Sequence, residues 1–187
     1  MATEETLSLG VVLERRESDH PWQDYSWCPV AVFPGAPACE PRGTWTLLSQ
    51  GEGWEQYHGG TLTLSLFRKE TEAYKVNLSQ TPPRIFVVLR GDEESDAIHE
   101  MVPFLVTASP YEAQDYLDSG EEIVEAVPMP ADVIAFVENY VTQHHVDEPF
   151  YKRKRKRYDP NETGFARKPS AAAGDAGESE GQDQETS

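Results

Sequence analysis

The chain has 187 residues, with 16 Lys and Arg against 33 Asp and Glu, for a net charge of −17. A body this acidic repels DNA, RNA and anionic membranes, and a mean hydropathy of −0.60 leaves part of the chain outside any core. No stretch reaches the ~18 apolar residues of a membrane span, and the acidic start Met1-Ala2-Thr3-Glu4-Glu5 lacks the apolar segment of a signal peptide, so a cytoplasmic protein is expected.

Residues 1–7 read as a disordered N-terminus. Leu9-Gly10-Val11-Val12-Leu13 opens a first strand, and Pro29 to Phe33 gives a second, stopped by Pro34-Gly35. Thr44 to Leu48 and Trp54 to His58 flank a turn at Gly51-Glu52-Gly53. Thr61 to Phe67 alternates, with Leu62, Leu64 and Leu66 on one face. Tyr74, Val76 and Leu78 alternate again and favour strand, although Glu70 to Tyr74 could start helical. Thr81-Pro82-Pro83 breaks the chain, and Ile85 to Leu89 is the continuous apolar run of a central strand. Met101 to Thr107 carries Pro103 and so belongs at an edge or a bulge. Ser109-Pro110-Tyr111-Glu112 is a capping box that starts a short helix, ended by Asp118-Ser119-Gly120. Ile123 to Val127 is a last strand. Val133, Ile134, Val137, Tyr140 and Val141 then form the apolar stripe of a longer helix from about Ala131 to His145.

The links between strands are too short for parallel crossovers, so antiparallel pairing is expected. The fold class is α+β and mainly β: an antiparallel barrel or strongly curved sheet, with one longer C-terminal helix and one short capped helix. A β-sandwich is the alternative. This single globular domain spans 8–151. Residues 152–187 follow as a basic segment and a disordered acidic tail, since Lys152 to Arg157 are six consecutive cations and the remainder has no apolar periodicity. Eight of the 16 cations and seven of the 33 acidic residues lie in 152–187, which leaves 1–151 with a net charge of −18.

Most candidate chemistry has a plain structural explanation. His144-His145 with Asp147-Glu148 resembles a metal cluster, but adjacent helical residues point about 100° apart; imidazoles near a helix C-terminus account for the pair. Cys28 and Cys39 fit a reducing compartment, are too far apart for a C-x-x-C pair, and cannot make a zinc site alone. Ser109 has no G-x-S-x-G elbow around it, and its capping role suffices. Glu112 and Asp115 read as a solvated helix face. No phosphate-binding glycine loop is present. Neither catalytic residues, a metal site nor a cofactor is therefore expected.

The most unusual segment runs from Arg15 to Trp27 and crowds Arg15, Arg16, Trp22, Asp24, Tyr25 and Trp27 between two strands. It is either a loop whose indoles close one end of the fold or a recognition surface, because Trp, Tyr and Arg dominate interface hot spots. The run Lys152, Arg153, Lys154, Arg155, Lys156 and Arg157 invites a nucleic-acid reading, which the charge of the adjoining body opposes; an acidic partner is the easier target. Both groups are candidate partner-binding residues.

Several segments together carry a family resemblance. They are Val12-Leu13-Glu14-Arg15-Arg16, His20 to Ala36, Glu70 to Ser79, Val106 to Tyr116, Met129-Pro130, and Phe150-Tyr151-Lys152-Arg153-Lys154-Arg155. The chain resembles the proteobacterial family known as domain of unknown function 3305 over about residues 8 to 158. Cys28 stands where that pattern has Arg, which argues further against thiol chemistry. Members of the family are typically encoded beside formate dehydrogenase and other molybdopterin oxidoreductase maturation genes. The resemblance therefore implies a non-catalytic accessory protein in assembly or maturation of a molybdenum-dependent formate dehydrogenase, with a formate dehydrogenase subunit or a co-encoded accessory protein as partner. The alternative is a small-molecule or cofactor-precursor-binding barrel, either a binding protein or an enzyme, with Arg15, Arg16, Arg68 and Arg90 available for phosphate.

Overall fold

The computed structural model describes residues 4–19, 21–22, 24–92 and 99–146. These all fall within the compact unit Met1–Asp147; the unit Glu148–Ser187, including the six-cation run and the acidic tail, lies outside the described residues.

Four strands build the first sheet: β1 (Glu4–Glu17), β2 (Tyr25–Pro34), β3 (Thr46–Gly51) and β4 (Trp54–Phe67), in the order β2-β1-β4-β3. β1 starts at Glu4, so residues 4–7, assigned above to the N-terminal tail, pair with Leu64 to Phe67 of β4. The two strands expected at Trp54–His58 and Thr61–Phe67 are one strand with a bulge. Val11 lies opposite Gly60 and Val12 opposite His58, which leaves Gly59 as the extra residue. Both residues of the bulge favour glycine. A Cβ on Gly59 would sit 2.8 Å from Leu13 Cδ1, and Gly60, at φ 155°, lies against Pro41.

A single 3-10 turn leads into α1 (Thr71–Leu78). This is a helix where the Tyr74/Val76/Leu78 alternation favoured a strand. Its buried residues are Thr71, Ala73, Tyr74 and Asn77, whereas Val76 is exposed, so the buried face follows helical spacing. Tyr74 packs edge-on to Tyr140, and its hydroxyl accepts from the Phe67 amide at 3.1 Å. Buried Asn77 donates to the Arg84 and Ala108 carbonyls, both at 2.7 Å, and accepts from the Arg84 amide at 2.9 Å.

After the break at 81–83, with a cis Thr81–Pro82 peptide, come β5 (Arg84–Gly91), β6 (Met101–Thr107), α2 (Pro110–Ser119), β7 (Ile123–Pro128) and α3 (Ala131–His144). The second sheet has the order β6-β5-β7, with the apolar β5 in the centre as expected. β6 is both an edge and bulged, since its register shifts where Leu89 meets Pro103. Ser109 caps α2 by accepting from the Glu112 amide at 3.3 Å. The reciprocal half of the box is replaced, because the Ser109 amide donates to Thr107 Oγ1 at 3.0 Å. Gly120 ends α2 in the left-handed region at φ 70°.

Both sheets are antiparallel, but neither closes into a barrel or curls strongly, which overturns the barrel expectation. Short links correctly signalled the β1–β2 and β3–β4 hairpins. They could not signal that β1 also pairs with the distant β4, which completes a four-stranded sheet. The two sheets instead share one core. Leu9, Val11, Leu13, Leu64 and Leu66 come from the first sheet, Ile85, Val87, Leu89, Val106 and Val127 from the second, and Val133, Val137 and Tyr140 from α3. Among the described residues no helix is long and apolar enough to cross a membrane.

Candidate functional site

The alternation that buries Leu9, Val11 and Leu13 continues along β1 and brings Arg15 to the same face, beyond the end of the core. Register then decides its neighbours. Arg15 lies opposite Trp27 on β2 and Glu55 on β4, and Leu13 lies opposite Tyr57. The Arg15 guanidinium sits 4.4 Å from the Tyr25 ring centre, 5.8 Å from Trp27 and 5.9 Å from Tyr57, and it pairs with Glu55. Tyr57 donates its hydroxyl to the same Glu55 carboxylate.

Trp45 completes the wall. Its ring stands edge-on to Trp27 at 5.4 Å, and its indole N–H donates to the Pro41 carbonyl at 2.8 Å. His99 stacks flat on Trp45 at 3.5 Å and bonds the Gly43 carbonyl at 2.9 Å through Nε2. A carbonyl only accepts, so Nε2 carries the proton. Arg15, Tyr25, Trp27, Trp45, Tyr57, His99 and Glu100 enclose an open cleft of about 330 Å³. Arg15 and Tyr25 also border a smaller recess of about 160 Å³, towards Glu17, Trp54 and Glu55.

The electrostatics suit binding better than proton transfer. The Glu55 carboxyl is held below the usual carboxylate range, first by the Tyr57 hydroxyl and then by Arg15, against an opposing effect of burial. The Tyr57 phenol is pushed up, chiefly by its bond to Glu55 and then by burial, so it stays protonated at neutral pH. Both thiols are pushed up as well. Burial is the main cause, followed by Glu125 and Glu14 at Cys28 and by Glu40 at Cys39; neither is an activated nucleophile.

The predicted recognition segment therefore divides. Arg15, Tyr25 and Trp27 converge in the cleft. Trp27 is half-buried and packs against the core, while Trp22 is 90% exposed on the β1–β2 connection, close in sequence to exposed Asp24. Arg16 does not join them: it projects from the opposite face of β1 and pairs with Glu14, which also accepts from Gln56 at 2.7 Å. His20 and Gln23, and the candidates Lys152 to Arg157, lie outside the described residues. Trp45, Glu55, Tyr57, His99 and Glu100 were not singled out by sequence. The alternation of Trp54 to His58 was visible, but its register against β1 was not.

The other candidates are engaged elsewhere. His144 faces Glu5 at 3.5 Å, and His145 meets Lys75 at 2.9 Å and Thr71 at 3.0 Å, so the two rings diverge. Among the described residues no group of three His, Cys, Asp or Glu side chains is placed to hold a metal ion. Arg90 lies over Phe104 and pairs with Glu122 at 2.7 Å. Glu112 and Asp115 line a recess of about 380 Å³ with Phe67, Lys69, Glu70 and Tyr111, where Glu70 accepts from the Ser109 hydroxyl at 3.1 Å.

Fold and site together define a two-sheet antiparallel α+β protein with an arginine-centred aromatic cleft at one end of its first sheet. The chain belongs to the family described as protein of unknown function (DUF3305), whose model matches residues 8–155. No curated protein and no solved structure matches it.

Proposed function

We propose that this protein is a non-catalytic accessory factor in the assembly or maturation of a molybdenum-dependent formate dehydrogenase, acting in the cytoplasm by protein–protein contact. The observation that carries the contact reading is the aromatic cleft around Arg15, with exposed Trp22 on the neighbouring connection. Aromatic rings and arginine, half-desolvated before a partner arrives, are the composition of interface hot spots. The partner class rests on the family resemblance. The test is co-purification with tagged formate dehydrogenase subunits from the native host, comparing the wild-type chain with Tyr25→Ala and Trp22→Ala. The wild type is expected to associate and the variants to lose at least tenfold. No association, together with unchanged enzyme activity in a deletion strain, would remove this reading.

A second reading has its own support. The cleft volume falls at the small end of ligand pockets, and the Trp45–His99 stack gives it a flat wall. A planar cofactor precursor would lie against that wall. A thermal-shift screen with pterins and nucleotides separates the two, since one clearly stabilising ligand favours the small molecule.

A further inference from the structure

Among the described residues each sheet has two outer strands, and three of the four carry proline or charge that discourages pairing. β2 has Pro29 and Pro34, β6 has Pro103, and β7 has Glu125 and Pro128. β3 has no proline and no charge. Its sequence Thr46-Leu47-Leu48-Ser49-Gln50-Gly51 is exposed at every position, with Leu47 45% and Leu48 50% exposed. Its one irregularity is the bulge at Leu48, between Leu47 opposite Tyr57 and Ser49 opposite Gln56. A neutral outer strand of this kind presents backbone donors and acceptors in a row.

Charge selects what pairs with it. Residues 1–151 carry a net charge of −18, so a second copy of this chain would bring like charge against like charge. Acidic groups lie at the hairpin tip: Glu52 follows β3 directly, and Glu17, whose amide donates to Gly53 at 3.0 Å, holds a carboxylate oxygen 3.7 Å from where a Cβ on Gly53 would sit, whereas Glu55, opposite Gln50, is already paired with Arg15. We infer that β3 is the docking edge for an extended Lys- or Arg-bearing segment of another polypeptide, which adds to the first sheet as a fifth strand. Register specifies its side chains. Leu47 shares a cross-strand row with Tyr57, and Gln50 shares one with Glu55 and Arg15. The incoming strand lies ~4.8 Å beyond β3. It places an apolar residue beside Leu47 and a long cationic one beside Gln50, reaching back towards Glu52. This inference does not depend on the identity of the partner proposed above, nor on occupation of the cleft.

The probe is a fluorescent peptide, Lys-Val-Thr-Val-Lys-Val-Thr-Lys, titrated against the full chain by anisotropy, with amide hydrogen exchange read across residues 46–51. Saturable binding with protection concentrated in β3 is expected. A peptide N-methylated at alternate amides should bind at least tenfold more weakly, because it keeps its charge but loses the ladder. Leu47→Lys should weaken binding by a similar factor without moving the melting temperature. An equally tight N-methylated peptide would reduce the effect to general electrostatics and overturn the inference. So would protection mapping elsewhere. Concentration-dependent dimerisation abolished by Leu47→Lys would make the occupant a second copy. Protection of β3 without peptide, lost on removal of 152–187, would make it the chain's own cationic run. Either result overturns a foreign strand.

Discussion

Asn77→Ala gives the most direct test of how α1 is tied to the second sheet. Asn77 is buried on α1, and its amide serves three backbone groups: the Arg84 amide, the Arg84 carbonyl and the Ala108 carbonyl. Ala108 is fully buried, so its carbonyl left without this donor costs about 1–3 kcal/mol. Arg84 is half-buried and regains water in part, for about 0.5–1 kcal/mol at each of its two groups. The sum is about 2–5 kcal/mol, a large share of the ~5–15 kcal/mol typical of a whole domain. Urea unfolding followed by circular dichroism reads this as a drop in midpoint at constant slope. Asn77→Asp sharpens the test. Its carboxylate still accepts from the Arg84 amide but sets negative charge against two carbonyls. It should therefore be less stable than the alanine variant at pH 7 and recover as pH falls towards ~4, because burial raises the folded carboxyl above its unfolded value and it protonates first in the folded state. An alanine variant within about 0.5 kcal/mol of wild type would refute the assignment of Asn77 as the tie between α1 and the second sheet.

Three further outcomes follow from the same geometry. The Tyr74 phenol is pushed up to about 12, chiefly by burial, with the Phe67 amide acting in the opposite sense. Because its folded value lies above the unfolded value near 10, its contribution is complete below pH 10 and disappears as pH rises towards 12. The loss is about 2–3 kcal/mol. Denaturation midpoints of wild type and Tyr74→Phe from pH 8 to 12 should converge; parallel curves would contradict the burial. Gly59→Ala forces a Cβ to within 2.8 Å of Leu13 Cδ1, so the fully buried Leu13 side chain must shift within the core. A cost of about 1–3 kcal/mol is expected, and a neutral substitution would show that the bulge is placed differently. Of the four tryptophans, Trp22 is the one at 90% exposure. Iodide should quench it most strongly, and Trp22→Phe should remove most of the quenchable fluorescence. Unchanged quenching in that variant would place the accessible indole elsewhere.

Elements whose signal is local were legible. The β5 apolar run, the Ser109 cap with Pro110 behind it, the Gly120 stop and the α3 stripe all depend on residues within a few positions of one another. α1 was misread because Tyr74, Val76 and Leu78 fit a period of two over too short a span. The deciding residue, Asn77, is polar, and its burial is explained only by backbone groups that fold back from Arg84 and Ala108. Half of the cleft was legible for a similar reason. Arg15, Tyr25 and Trp27 lie close together in sequence, whereas Tyr57 reaches them across the β1–β4 pair, and Trp45 and His99 come from the connections before β3 and β6.

The amino-acid order by itself determined the antiparallel, mainly β character, the short capped helix, the longer C-terminal helix and the concentration of aromatic residues after Arg15. Side-chain period, turn chemistry and capping act over one or two turns of chain, so they are written locally. Tertiary structure alone decided that β1 pairs with both β2 and β4, that two open sheets share a core instead of one closing, and that Arg15 faces the cleft while Arg16 turns to Glu14. In a strand, adjacent residues point to opposite faces. Which face meets the core is fixed by register between segments some forty residues apart, a quantity no local pattern contains.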